Sequence, residues 1–212
     1  MRGVLLILMG LAVSACALTT DEIDVPYQPE AVHAPVSGAA AATVAVTAAD
    51  ARASHRDRVG TKKNGYGMEM APIVATNDVV QTVAQAVTQE LKAEGFDVGA
   101  GGAEIAIDVV TFYNDFKIGF FTGDGLAEVT LTVKVLRPDK SLAFAKTYTG
   151  SGKAADIMLA SGSNAREALM HALSNVVGTV VSDPDLITAL LGKPVPAPTT
   201  SDQHPISRHA PG

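Results

Sequence analysis

Apolar and polar residues alternate with clear periods between residues 41 and 192, which predicts one folded domain over that range. The cleanest alternation runs from Ala127 to Val135, where every second residue is apolar and those between them are charged or hydroxylated. This pattern is typical of a strand with one buried face. Shorter alternations predict strands at Thr43–Thr47, Ala103–Asn114 and Leu142–Thr149, the last entered through a tight turn at Pro138-Asp139.

Two longer stretches have helical periodicity instead. From Asp78 to Glu94 the apolar residues fall on one stripe, Asp78 suits the N-cap, and Gly95 suits the left-handed position just past the end. A second amphipathic helix is predicted from Asn164 onwards, and Asp183-Pro184 ends it and starts a short third helix.

The predicted order is strand, helix, several strands, helix, helix. That order indicates an α+β fold: a mainly antiparallel sheet, two long amphipathic helices packed on one face, and a short C-terminal helix. Burial of one sheet face under the two helices is enough to form a single core.

The sole cysteine follows a short apolar run near the start of the chain. Arg2 gives a positive start, residues 3–13 are apolar apart from glycine, and the small pair Ser14-Ala15 precedes Cys16. The run is shorter than the roughly 20 residues that a membrane-spanning helix needs. This pattern predicts a bacterial lipoprotein signal peptide, cleaved before Cys16, whose thiol carries diacylglycerol and whose new amine carries a third fatty chain such as palmitate. The alternatives are an uncleaved helix and a conventional cut that leaves a soluble protein.

These features divide the chain into four parts: a signal peptide at residues 1–15, a lipid anchor and flexible tether at 16–40, the α+β domain at 41–192, and a disordered tail at 193–212. The tether prediction rests on three prolines and the absence of an apolar period. Ala17 stands where an aspartate would be the usual retention signal for the inner membrane, so we expect an outer-membrane protein that faces the periplasm.

Composition excludes several classes of function. The net charge is −6, with 16 Lys+Arg against 22 Asp+Glu, so nucleic acid is not expected as a partner. A phosphate loop is not expected at Gly150–Lys153, because Ala154 replaces the required hydroxyl residue. His204 and His209 in the tail match no familiar metal-ligand spacing. We therefore expect no enzyme activity, no cofactor and no metal.

Two stretches are candidate contact surfaces. The first is a loop from Asp50 to Lys63, which is either a solvated loop with local ion pairs or a site for an anionic group. Its cations are Arg52, Arg56, Arg58, Lys62 and Lys63.

The second stretch lies between two predicted strands and holds Phe116, Phe120 and Phe121. Either the strands extend through it and the aromatic residues are core, or an apolar hairpin tip meets a protein partner, another copy or lipid.

Short motifs along the domain add a family resemblance. Asp50-Ala51-Arg52, Val59-Gly60-Thr61-Lys62, Asn64-Gly65-Tyr66-Gly67 and Ala71-Pro72-Ile73 resemble the YajG-like bacterial lipoproteins, over roughly Thr43 to Val181. The resemblance implies an outer-membrane lipoprotein with an α+β domain, and it carries over no catalytic or binding residue.

The sequence thus predicts a lipid-anchored cell-envelope protein that acts as a non-enzymatic accessory or interaction module in the periplasm. Its expected partner is an unknown envelope protein or a second copy of itself. Two alternatives stay open: a subunit of an oligomeric secretion or export ring, and a binding protein for a lipid or cell-wall fragment.

Overall fold

The computed structural model describes residues 19–29, 34–119 and 122–195, and within them one mixed eight-stranded sheet and three α-helices. The α+β fold class predicted from the sequence is confirmed. The strands are β1 (Asp21–Ile23), β2 (Thr43–Asp50), β3 (Gly60–Lys63), β4 (Glu69–Ala75), β5 (Asp97–Val98), β6 (Ala103–Ile118), β7 (Gly123–Leu136) and β8 (Leu142–Ile157); the helices are α1 (Val79–Ala93), α2 (Gly162–Val181) and α3 (Pro184–Leu190).

The three long strands β6, β7 and β8 form an antiparallel meander, with β8 at one edge of the sheet. Alternate apolar residues of β6 and β7 are buried on one face, as their period predicts. A β-bulge at Val110 interrupts β6, so that Val109 and Phe112 both face the core although they are three residues apart.

The other edge of β6 is shared by two strands. β2 pairs in parallel with the first half of β6, and β3 begins beside Asn114 in the second half. β4 then pairs antiparallel with β3, and β1 pairs in parallel with β4. The parallel pairs make the sheet mixed, while its long strands remain antiparallel. The sequence did not predict β1, β3, β4 or β5.

Both long helices pack on the apolar face of the sheet and touch each other. At the start of α1, Oδ1 of Asp78 accepts hydrogen bonds from the backbone N–H groups of Val80 and Gln81 at 2.9 and 3.1 Å. Gly95 follows the helix with a φ of 93°, which favours glycine. α2 begins at Gly162, two residues before the predicted Asn164, and lies along β8.

Two glycines of β8 let α2 approach the strand closely. A Cβ on Gly150 would lie 2.3 Å from the carbonyl oxygen of Ala172, and one on Gly152 would lie 1.9 Å from that of Ala168. Both distances are far below van der Waals contact. The glycines of the Gly150–Lys153 motif are therefore required for the packing of α2 on the sheet, which gives this motif a structural reason.

The described residues from Asp21 onwards are packed on the domain, in contrast to the predicted flexible tether. Ile23 and Val25 are buried, and β1 is part of the sheet. Oδ2 of Asp21 accepts the backbone N–H of Gly162 at the start of α2, at 2.7 Å, while its Oδ1 lies 2.9 Å from Nζ of Lys62. A flexible tether over residues 16–40 is therefore wrong for the described residues from 21 onwards, because burial and this carboxylate fix them to the domain.

Candidate functional site

The side chain of Arg52 organises the loop between β2 and β3. It is buried and forms a two-point ion pair with Asp50, with Nε and Nη2 each 2.9 Å from a carboxylate oxygen. The guanidinium also donates to the carbonyl oxygens of His55 and Arg56. These hydrogen bonds from Arg52 lower the pKa of Asp50 to about 2. Arg52 thus shapes the loop from inside and is not exposed to an external anion.

Lys62 and Lys63 lie on β3 and not in a loop. Lys62 is buried and makes the ion pair with Asp21, while Nζ of Lys63 lies 2.5 Å from Oδ1 of Asp115 and 3.2 Å from the carbonyl oxygen of Phe116. The two cations join β3 to β1 and to β6. The hypothesis of an anion-binding surface therefore fails for Lys62 and Lys63, as it does for Arg52.

Arg56 and Arg58 are the two candidate cations of the loop that keep exposed surface. Nε of Arg56 donates to the carbonyl oxygen of Arg52 at 2.6 Å, and Nε of Arg58 lies 3.3 Å from Oδ2 of Asp57. The shallow groove beside them, of about 430 Å³, is also lined by Asp50 and Asp57. Its charge is mixed, so Arg56 and Arg58 form a small surface and not a broad basic patch.

The phenylalanine-rich stretch is divided by the structure. β6 and β7 extend into it, and Phe112 and Phe116 are buried against the helices and the sheet. Phe116 is therefore a core residue and is not available to a partner. Phe120 and Phe121 lie outside the described residues.

A cluster that the sequence did not indicate joins β8 to α3. Asp183 is buried at the N-cap of α3, where it accepts the N–H groups of Asp185 and Leu186. The same carboxylate lies 2.6 Å from Nζ of Lys146 and 2.9 Å from the hydroxyl of Tyr148. Burial opposes ionisation of Asp183, but these hydrogen bonds outweigh it and lower its pKa.

The hydrogen bonds already made within this cluster determine its chemistry. Burial, followed by the hydrogen bond to Asp183, raises the pKa of Tyr148, so the phenol stays protonated. The carboxylate already accepts from four donors and is a poor proton acceptor. A groove of about 630 Å³ lies beside the cluster, but its charged side chains are engaged in holding α3 against β8. The Asp183-Pro184 helix start was visible in the sequence; its contact with Lys146 was not.

Glu90 in α1 and Glu94, the residue that caps the end of this helix, form an acidic pair in the interior. Glu90 and Glu94 are both buried, and the hydroxyl of Tyr27 donates to Oε1 of Glu90 at 2.7 Å. Burial, with a smaller contribution from the charge of Glu90, raises the pKa of Glu94 to about 7. Ionisation of Glu94 is therefore unfavourable within the folded domain.

Comparison with known proteins settles the family. The model of a family described as uncharacterized lipoprotein, Lipoprotein_16, matches residues 29–191. The chain belongs to this lipoprotein family. The resemblance to the YajG-like lipoproteins seen in the short motifs is thereby confirmed.

Solved structures share the fold of this lipoprotein. A DUF330-family protein from Xanthomonas campestris is 17% identical, with a TM-score of 0.56 over 82% of this chain and 96% of that one. An uncharacterized protein is 9% identical, with a TM-score of 0.51 over 76% and 96%. A minor lipoprotein from Acinetobacter baumannii is 10% identical, with a TM-score of 0.42 over 74% and 96%. The first two similarities support the fold alone.

A search of curated proteins finds no match to this sequence. In the described part of the lipoprotein, every helix is too short or too polar to cross a bilayer.

Proposed function

We propose that the chain is an outer-membrane lipoprotein, lipidated at Cys16, whose domain faces the periplasm and acts by contact with another envelope component. The observation that carries the proposal is the family match, together with a lone cysteine directly after Ser14-Ala15. Each fatty chain contributes about 0.8 kcal/mol per buried CH₂, so a cysteine with several chains is held in the membrane essentially permanently.

The polar side chains described above bond to one another within the domain, which supports a function by contact with a partner and not by catalysis. The two ion pairs with buried cations, Arg52 with Asp50 and Lys62 with Asp21, hold the fold, and so does the carboxylate of Asp183. A nucleophile or general base needs an accessible group with a free acceptor or proton. The charged clusters of the described residues are instead used for stability.

Intact-mass analysis of the protein from envelope fractions tests the anchor. We expect a chain that begins at Cys16 and carries three fatty chains, with a Cys16→Ser variant that stays unmodified and full-length. A matched Ala17→Asp variant should shift the protein from outer-membrane to inner-membrane fractions on a density gradient. A wild-type chain that is unmodified, begins with Met1 and is found in the cytosol would contradict the proposal.

Site-specific photo-crosslinking in living cells tests the contact role. The photoreactive group is placed at Arg56 and Arg58 in turn, with a control at the exposed Lys140 in the β7–β8 turn. We expect a discrete crosslinked species from the Arg56 or Arg58 position and none from Lys140. Absence of any crosslink from both arginine positions would exclude this loop as the contact surface.

A further inference from the structure

Exposed large apolar side chains of the described residues concentrate at one end of the sheet. Six are exposed, and four of them lie in only two connections. Tyr66 and Met68 belong to the turn between β3 and β4, and Met158 and Leu159 belong to the connection between β8 and α2. We call these four residues the apolar end.

Strand register shows that the two connections share this end. Ile118, the last residue of β6, pairs with Gly123, and Gly123 pairs with Ile157 of β8. Lys63, the last residue of β3, reaches the carbonyl oxygen of Phe116 near the end of β6. Three strand spacings, about 14 Å, separate β3 from β8, so the four side chains span a patch of about that width.

The local structure holds these side chains away from the protein. Oδ1 of Asn64 accepts the backbone N–H groups of Tyr66 and Met68, each at 3.0 Å, which fixes the turn. Tyr66 is 91% exposed and Met158 is 92% exposed. Two lysines near this end are paired, Lys63 with Asp115 and Lys153 with Asp124, while Glu69 beside Met68 and Asp156 near Met158 are exposed carboxylates at the rim of the patch.

The chain from the anchor arrives at the same end. β1 runs parallel to β4, and β4 begins directly after the turn that carries Tyr66 and Met68. The direction of β1 therefore points its start, preceded by the described Thr19 and Thr20, toward the apolar end. Thr19 is three residues from Cys16, so the two Cα atoms are at most about 11 Å apart. The chain length therefore allows a lipid on Cys16 to reach the apolar end.

We propose that the apolar end inserts into the interfacial layer of the bilayer beside the lipid on Cys16. The membrane is the expected partner of this surface, because the short chain between Cys16 and Thr19 keeps the bilayer near it. The proposal rests on lipidation at Cys16. Tyrosine favours the boundary between headgroups and acyl chains, and apolar side chains there add to the anchoring. The strands then stand upright on the membrane, with the Arg137–Ser141 turn farthest away.

Tryptophan fluorescence tests the insertion, since the chain contains no tryptophan. Met158→Trp places the probe at the apolar end, and Leu142→Trp places a matched probe at the opposite end, where Leu142 is 57% exposed. The chain starting at Cys16 is coupled through its thiol to a maleimide lipid in phosphatidylcholine vesicles with brominated acyl chains. We expect emission from Met158→Trp to fall about twofold, and emission from Leu142→Trp to be unchanged.

Because the lipid is attached chemically, this experiment does not depend on whether cells lipidate Cys16. Failure of insertion can therefore be told apart from failure of natural lipidation. Equal quenching of both variants, or no quenching of Met158→Trp on vesicle-bound protein, would overturn the proposal. Thermal melts establish that both variants are folded. A second copy as occupant would appear as a dimer of the unanchored chain in light scattering that Met158→Ser with Leu159→Ser abolishes, and that result would also overturn insertion.

Discussion

Replacement of Gly152 by alanine tests the closest contact in the fold, that between β8 and α2. The added Cβ would lie 1.9 Å from the carbonyl oxygen of Ala168 and 2.5 Å from the backbone nitrogen of Ala172. Both are backbone atoms of a helix and cannot rotate away. The helix must therefore move out by more than about 1 Å, because ordinary contact between such atoms needs well over 3 Å.

The free-energy cost follows from what α2 buries. A gap of about 0.5–1 Å removes a quarter to a half of the dispersion energy of the facing atoms, and a buried Leu or Val contributes about 1.5–3 kcal/mol. Three residues of α2 are fully buried: Leu169, Leu173 and Val176. Their combined loss is about 2–4 kcal/mol, and restriction of the unfolded chain by alanine returns about 0.4–1 kcal/mol. The net destabilisation is about 1–3.5 kcal/mol.

Urea unfolding followed by circular dichroism measures this change in the free energy of unfolding. The midpoint should fall at constant m-value, and the melting temperature should fall by about 2–14 °C for a domain of this size. Ser151→Ala is the matched control, since Ser151 lies between the two glycines and is exposed on the other face. Its backbone carbonyl keeps the hydrogen bond from Asn175, so its effect should stay within about 0.5 kcal/mol. A Gly152→Ala protein as stable as the wild type would refute the close-packing argument.

Three further predictions concern stability and its dependence on pH. Gly178→Ala in α2 should stabilise the domain by about 0.5–1 kcal/mol in the same urea assay, because no atom lies within 4 Å of the added Cβ; a destabilised variant would contradict this. Asp183→Ala should cost about 2–3 kcal/mol at pH 7 through loss of the cap and of the Lys146 and Tyr148 hydrogen bonds, with exposed Asp185→Ala as control. Because the folded-state pKa of Asp183 is lowered, the cost should shrink as pH falls below the ordinary 3.8, and a pH-independent difference would argue against it. Glu94, with its pKa raised from 4.5 to about 7, favours the fold fully below pH 4.5 and loses that contribution as pH rises to 7. Glu94→Gln should therefore gain about 1–2 kcal/mol in free energy of unfolding relative to wild type between pH 5 and pH 8, and parallel profiles of that free energy against pH would contradict the raised pKa of Glu94.

Elements with a strong local signal were predictable from the sequence. The N-cap at Asp78, the left-handed Gly95 and the alternation of β7 each depend on residues close together in the chain. β1 was missed because it is three residues long and includes Asp21 and Glu22. Its place in the sheet depends on β4, some fifty residues away, and no local pattern indicates such a partner.

The candidate contact residues show the same limit. A run of cations in the sequence predicts a charged surface, but it does not reveal which cations are paired internally. Arg52 meets Asp50 two residues away, so this pairing was within reach of local reasoning. Lys62 meets Asp21 across the sheet, and only the fold brings them together. The apolar end was likewise hidden, because its two connections are about ninety positions apart in the chain.

The docking of β1 has a mechanical consequence for a protein held at its N-terminus. Tension on the proposed anchor would enter the domain along the axis of β1, loading its hydrogen bonds to β4 in shear, together with the contacts of Asp21. This three-residue strand would yield before the long meander of β6, β7 and β8 bears any load. Release of β1 would lengthen the linker between the membrane and the domain while the rest of the fold stayed intact.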